Sequence, residues 1–293
     1  MCVPRRLLCI TRMALFLFLT GEALAVCPKG HPPPEGVSRS SVYKGQPFRA
    51  GEEAMYMMQY SAVRTHVGYG YLRVRPPVKQ ELVIGADGRR EKRWHMVFQA
   101  EAYSGDWYKA IFQGHYRAQA LALPGAGIIT RFYINTNQKP AFKDRTRKEK
   151  WLDFRAWQCR VATREVDHTA GGKEKKGEHD LSFGSVDVLG TVYRMRSINY
   201  KPGKKERIPV YSNEENWWLE VTPVAFEKTE VEAGFFDTVK LSLQTYVGKD
   251  LQQKGEVFVW IATKHPNRPL VKVEADIKMG NVFMILAKFK PGS

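Results

Sequence analysis

An all-β fold, an antiparallel barrel or half-barrel with one or two short helices, is predicted by three features of the sequence. From Pro47 onward the chain is a succession of short runs rich in aromatic and β-branched residues. Those runs are punctuated by turn-formers such as Ala86-Asp87-Gly88-Arg89, Lys201-Pro202-Gly203 and Met279-Gly280-Asn281. Residues of like character alternate with a period of two within the runs, the repeat of a strand and not of a helix.

Residues 1–25 come first and stand apart. Arg5, Arg6 and Arg12 precede the apolar run Met13 to Leu19, and Ala23-Leu24-Ala25 supplies small residues at the exit. This is the pattern of a secretory signal peptide. The run is well short of the roughly 20 apolar residues that span a bilayer, and no later segment reaches that length. A soluble periplasmic or secreted protein is expected, with no transmembrane segment. Cleavage after Ala25 leaves Val26-Cys27 at the new N-terminus. Lipidation of Cys27 is disfavoured, because Val26 stands where the processing peptidase wants Gly, Ala or Ser. Cys2 and Cys9 depart with the signal, so Cys27 and Cys159 are the two cysteines that remain. An oxidising compartment favours a disulfide between them, the other readings being a free Cys27 on a loose stub and a packed Cys159 thiol.

Residues 26–46 are rich in Pro, Gly and Ser and include Pro32-Pro33-Pro34. They read as an extended linker. Residues 47–290 then form a single β-barrel-like domain, since all-β units reach about 250 residues undivided. Its expected strands are Ala54 to Val63, Val67 to Arg75, Arg93 to Ala102, Gly114 to Ala122, Ile128 to Asn135 and Trp151 to Arg164. Val186 to Ile198, Trp217 to Phe226, Thr238 to Val247, Glu256 to Thr263, Val271 to Ile277 and Val282 to Phe289 complete the series. In the second run Val67, Tyr69, Tyr71 and Arg73 share one face, while Leu72 and Val74 share the other with two glycines. Aromatics on both faces of several strands suit a curved sheet with an inner cavity and an outer packing layer. Two segments allow helix: residues 105–112, and the Leu189, Val192, Tyr193, Arg196 spacing, which competes with the strand reading of 186–198. The stretch Ala170 to Gly177 is taken as a mobile loop and internal hinge.

The chain carries a formal charge of +16; removal of residues 1–25 takes three arginines and one glutamate and leaves +14. The excess sits in runs near residues 89–93, 143–150, 173–176 and 201–207. Such runs are solvated hairpin tips or a surface for an anionic partner, namely phospholipid, lipopolysaccharide or a cell-wall glycan. Nucleic acid is not expected of an exported chain that lacks RNP, zinc-finger and helix-turn-helix signatures.

Catalysis has little to stand on. The seven histidines show no metal-ligand spacing, and no GxSxG elbow, P-loop or GxGxxG element is present. Neither an enzyme nor a cofactor or metal site is expected. Aromatics offer more, because flat apolar surface makes sugar platforms and lipid cavities. Trp107, Phe112, Trp217 and Trp218 are the candidate ligand-binding residues; the two adjacent tryptophans must face opposite ways if they lie in a strand.

Several landmarks carry a family resemblance. They are Pro47-Phe48-Arg49-Ala50-Gly51-Glu52 followed by Tyr56 and Tyr60, the segment Gly234 to Lys240, and the closing Gly255 to Ile261 with Pro269 to Val273 and Gly280. Over about Phe48 to Leu286 the chain resembles exported bacterial proteins of the DUF3108 type, a domain of unknown function. The resemblance implies an antiparallel, barrel-like envelope protein and carries over no catalytic residue. The expected function is non-enzymatic binding of an amphiphilic or polymeric envelope component, lipid or glycan. The alternative is a structural protein that docks to cell wall or to a protein through its basic face.

Overall fold

The computed structural model describes residues 36–61, 65–84, 87–106, 112–125, 127–140, 142–252, 255–277 and 280–293. β1 (Glu53–Tyr60), β2 (Thr65–Ile84), β3 (Arg89–Ser104), β4 (Phe112–Ala122), β5 (Ile129–Pro140), β6 (Thr146–Arg155), β7 (Arg160–Asp167) and β8 (Lys173–Asp180) follow one another as antiparallel neighbours. One helix, α1 (Val188–Ser197), separates this meander from β9 (Glu206–Ser212), β10 (Glu215–Val231), β11 (Gly234–Val247), β12 (Asp250–Leu251), β13 (Val257–Ala262), β14 (Leu270–Ile277) and β15 (Gly280–Lys290). All fifteen strands belong to one sheet, and β15 pairs with β1 at its middle.

The expected all-β fold is present as a large antiparallel sheet whose ladder does not close. Its two edges, β8 and β9, nevertheless meet. Val186, just beyond β8, makes a single parallel bridge to Val210 in β9. Asn216 donates to the Asp180 carbonyl at 2.8 Å, and Lys175 reaches Glu214 at 3.1 Å. Contacts of side chains and isolated backbone groups thus stand where a barrel would have a ladder.

Strand alternation divides the sheet into two faces. The inner face carries Leu72, Val74, Met96, Phe98, Ala120, Phe132, Leu152, Phe154, Val161, Ile208, Val210, Leu219, Val221, Val239, Leu241, Val259 and Leu286, all buried in one cluster. α1 fills the end of the sheet at which β1 begins. Asp187 caps it, its Oδ1 accepting from the Leu189 and Gly190 amides at 2.7 and 3.0 Å. Tyr193 stacks on Phe98 with ring centroids 3.8 Å apart and meets Phe48 edge-on. Gly190 lets α1 approach Ile129 at the start of β5, since a Cβ there would lie 2.8 Å from Ile129 Cδ1. Arg196 and Glu52, each about 2 % exposed, pair at 2.7 Å.

Several expectations require correction. The described part of the 26–46 linker is no spacer: Val42 and Tyr43 are buried, and the Tyr43 hydroxyl donates to the Arg75 carbonyl while it accepts from the Val97 amide. Residues 1–35, including the signal and Cys27, lie outside the described residues. The supposed hinge at 170–177 is for the most part strand β8, and the turn is confined to residues 168–172. Residues 188–197 are helix, so the strand reading of 186–198 fails. Residues 151–164 hold two strands, broken by a short 3-10 turn at Ala156–Gln158 with Cys159 at φ 50°.

Candidate functional site

Register builds one distinctive feature on the outer face. Directly opposed residues form an unbroken row, Arg73, Gln99, Gln119, Tyr133, Trp151, Arg164 and Lys176, across β2 to β8. Opposed residues share a face, and neighbouring strands lie about 4.8 Å apart, so the row is roughly 30 Å long. Its amides bond each other, Gln99 donating to Gln119 at 2.9 Å. Its rings, Tyr133 and Trp151, lie 5.3 Å apart, and the Arg164 guanidinium covers the Trp151 ring at 4.6 Å. At the other end Arg73 lies 4.4 Å over the neighbouring Tyr71 ring and binds Glu53 and Glu101 at 2.6 and 3.1 Å.

The row is the floor of a groove. A depression of about 280 Å³ around Arg73, Gln99 and Arg117 shares Gln119 and Tyr133 with one of about 710 Å³ around Trp151, Arg131 and Arg164. At Glu101 it joins a third depression of about 450 Å³ lined by Tyr69, Tyr103, His115, Asn137 and Arg145. A fourth, about 340 Å³, continues from Arg131 and Asp153 toward Arg90 and Arg155. Tyr69, Tyr71 and Tyr103 supply three more rings, with centroids 5.7 and 6.1 Å apart.

The electrostatics suit binding better than proton transfer. Glu101 is held down to about 2, chiefly by its hydrogen bond from His115 and then by Arg117 and Arg73. Asp153 is engaged by Arg131 at 2.8 Å. Glu101 and Asp153 are therefore each engaged by cations, while the groove keeps an excess of guanidinium groups. Among the described residues no group of three or more His, Cys, Asp or Glu side chains is placed to hold a metal ion.

The candidate aromatics do not assemble. Trp107 lies outside the described residues. Phe112 opens β4 on the same face as Ala118 and Ala120, which is the inner one. Trp217 also faces inward, opposite Val210, packs on the core and donates to Ser212 at 2.9 Å. Trp218 faces outward between Pro209 and Tyr246, on the opposite half of the sheet from the groove. Cys159 is disulfide-bonded, and the chain's other cysteines lie outside the described residues. Inside the sheet an apolar recess of about 220 Å³ lies between Phe48, Met96, Phe98, Ile129 and Tyr193, below the roughly 300 Å³ at which small-molecule sites begin. Around this recess the buried side chains of the inner face pack into one cluster.

Sequence reasoning placed Tyr69, Tyr71 and Arg73 on one face. It missed Trp151 and Arg164, which meet only through the β6–β7 register.

The model of a family described as "Protein of unknown function (DUF3108)" matches residues 56–287. The chain belongs to the DUF3108 family. Among solved structures, this DUF3108 chain is similar to a β-barrel-like protein of domain of unknown function DUF1849 from Brucella abortus. The TM-score is 0.53 at 6 % identity, over 83 % of this chain and 98 % of that one. At that identity the likeness shows the fold alone. A "putative exported protein with YmcC-like fold" from Bacteroides fragilis aligns over 84 % of this chain and 98 % of that one, with a TM-score of 0.32 and 11 % identity. No curated protein matches the chain. No helix among the described residues is long and apolar enough to cross a membrane.

Proposed function

We propose that this DUF3108 protein is exported, non-enzymatic, and binds a polar envelope glycan laid across the outer face of β2 to β8. One observation carries the reading: the seven-residue row from Arg73 to Lys176, with cations at both ends, two amides next to Arg73 and two rings between the amides and Arg164. Rings stack on the apolar faces of sugars, amides bond hydroxyls, and guanidinium groups take carboxylate or phosphate substituents. An extended groove matches a polymer better than a compact ligand. The inner face packs into one buried apolar cluster, which favours a ligand on the surface over an enclosed lipid.

The test is retention of the purified protein on isolated cell-wall polysaccharide and on lipopolysaccharide polysaccharide, compared with Trp151→Ala. Loss of a central aromatic anchor costs about 2 kcal/mol, close to a thirtyfold drop in affinity. Retention of wild type and variant to the same degree sinks the reading.

A second reading, an envelope interaction protein, is favoured by β10. β9 pairs with that strand only over Glu215–Val221, and Val224 and Phe226 beyond it are about half exposed, with Phe235 three-quarters exposed on β11. An exposed apolar strand edge is a template for a protein partner. A partner held by apolar contact would stay bound at high salt, whereas retention through exposed charges would be screened.

A further inference from the structure

The hairpin between β5 and β6 carries a feature that the groove does not use. Its turn presents Phe142 with φ 60°, in the left-handed region that bulky residues rarely adopt, and with the ring fully exposed. Between 139 and 147 the sequence KPAFKDRTR holds four cations and one acid, Asp144. Lys139, Lys143, Arg145 and Arg147 are all exposed. The hairpin is held firmly from below, because Arg145 donates to Asn137 at 2.8 Å and to Gln113 at 2.7 Å. The turn itself is closed by the Lys143 amide on the Pro140 carbonyl at 3.2 Å. The neighbouring β7–β8 turn lies at the same end of the sheet, bonded through the His168 amide to the Arg147 carbonyl at 2.9 Å, and adds the exposed Lys173.

One ring at the apex, a collar of cations behind it and a braced stem are the parts of a peripheral membrane contact. An aromatic ring gains by leaving water for the acyl boundary, and each Lys or Arg at an anionic leaflet adds attraction. A protein partner would want a broader apolar patch around the ring than one side chain offers. We infer that the β5–β6 hairpin is a membrane-contacting finger, with Phe142 entering an anionic phospholipid leaflet while Lys139, Lys143 and Arg147 meet its phosphates. Arg145 braces the hairpin and also lines the groove. Phe142, Lys139, Lys143 and Arg147 line none of the groove's depressions, so substitutions at Phe142 and Lys143 test the finger and leave the groove's lining in place.

Co-sedimentation of the exported protein with vesicles tests it. Wild type is expected to pellet with vesicles containing phosphatidylglycerol and to stay in solution with pure phosphatidylcholine. Phe142→Ser is expected to weaken binding about tenfold or more, the worth of burying one aromatic side chain. Lys143→Glu is expected to weaken it at least fivefold, since each cation at such a surface contributes about 1 kcal/mol. Phe142→Trp is expected to bind and to shift its emission to shorter wavelength on vesicle addition, relative to wild type. Equal binding by Phe142→Ser and wild type, equal binding to both lipids, or an unshifted Phe142→Trp difference spectrum overturns the finger. So does retention on a soluble anionic polysaccharide in place of vesicles, removed by the Phe142→Ser change.

Discussion

Asp187 is buried at the start of α1 with its Oδ1 capping two amides and its Oδ2 without a hydrogen-bond partner. Burial raises its pKa from the ordinary carboxylate range to about 7, against the pull of the two amides. The fold therefore favours the protonated acid: this contribution to stability is complete below about pH 4 and is lost as pH rises through 7. Asp187→Asn keeps the capping oxygen and removes the charge. The variant is expected to melt above wild type at pH 8, by a margin on the order of a few kcal/mol in stability, and to converge on it near pH 4. His95 acts in the opposite sense, since burial lowers it to about 4 and its contribution is lost as pH falls from 6.5. That effect is common to both proteins and cancels in the difference between their melting curves. Parallel curves across this range would contradict the buried-acid account. The residue scale is also where the sequence was least legible. Tyr69, Tyr71 and Arg73 are two apart on one strand, so period alone aligned them. Trp151 and Arg164 are thirteen apart and joined by a register that a single strand does not contain.

At the scale of elements, α1 is tied into the sheet by a buried ion pair with few spare groups. Arg196 Nη2 donates to the Asn267 carbonyl at 2.6 Å, Nε donates to the Arg268 carbonyl at 3.1 Å, and Asn267 Nδ2 donates to Glu52 at 2.9 Å. Three distant segments thus converge: the approach to β1, the end of α1 and the β13–β14 turn. Removing one partner strands a charge in the core, so Glu52→Leu and Arg196→Met are each expected to cost about 3 to 5 kcal/mol in urea unfolding. Glu52→Leu combined with Arg196→Met is expected to cost less than the sum of the two single losses, because no uncompensated charge remains. Additive losses would mean that the pair does not act as a unit. The helix was foreseeable from its three-and-four spacing, Leu189, Val192, Tyr193 and Arg196, although the cap at Asp187 was not read from the sequence. β8 was not, because KEKKGEHD has no apolar face at all. Its support comes from cross-strand charges with β6 and β7, including Arg164 to Glu174 at 2.6 Å, Arg155 to Glu178 at 2.8 Å and Arg160 to Asp180 at 2.7 Å. A lysine-rich edge strand looks like a loop until its partner is known. β9 was hidden for a related reason: Glu206 and Arg207 at its start belong to a basic run, and the apolar face behind them is only Ile208 and Val210.

On the scale of the whole molecule, the sheet was legible as a class and not as a topology. Alternation and turn residues announce antiparallel strands, but nothing local tells the last strand to pair with the first or the two edges to meet through Val186 and Asn216. Long-range covalent closure raises the same question, and here it has a definite answer to test. Cys159 is disulfide-bonded and sits in the β6–β7 turn, at the end of the sheet where β1 begins and where the chain from residue 36 packs its Val42 and Tyr43. Gly36 lies nine positions after Cys27, a reach of roughly 30 Å when extended. If export removes residues 1–25, Cys27 is the one other cysteine left in the chain. A non-reducing digest is therefore expected to yield a single linked peptide pair containing Cys27 and Cys159, from a protein whose mass begins at Val26. Reduction would open a loop of more than a hundred residues and lower stability by about 4 to 5 kcal/mol on the chain-entropy account. A diacylglyceryl increment on Cys27 would overturn this pairing: the thiol would then be spent on a lipid anchor, the N-terminus would be held at a membrane, and Cys159 would have to pair outside the mature chain.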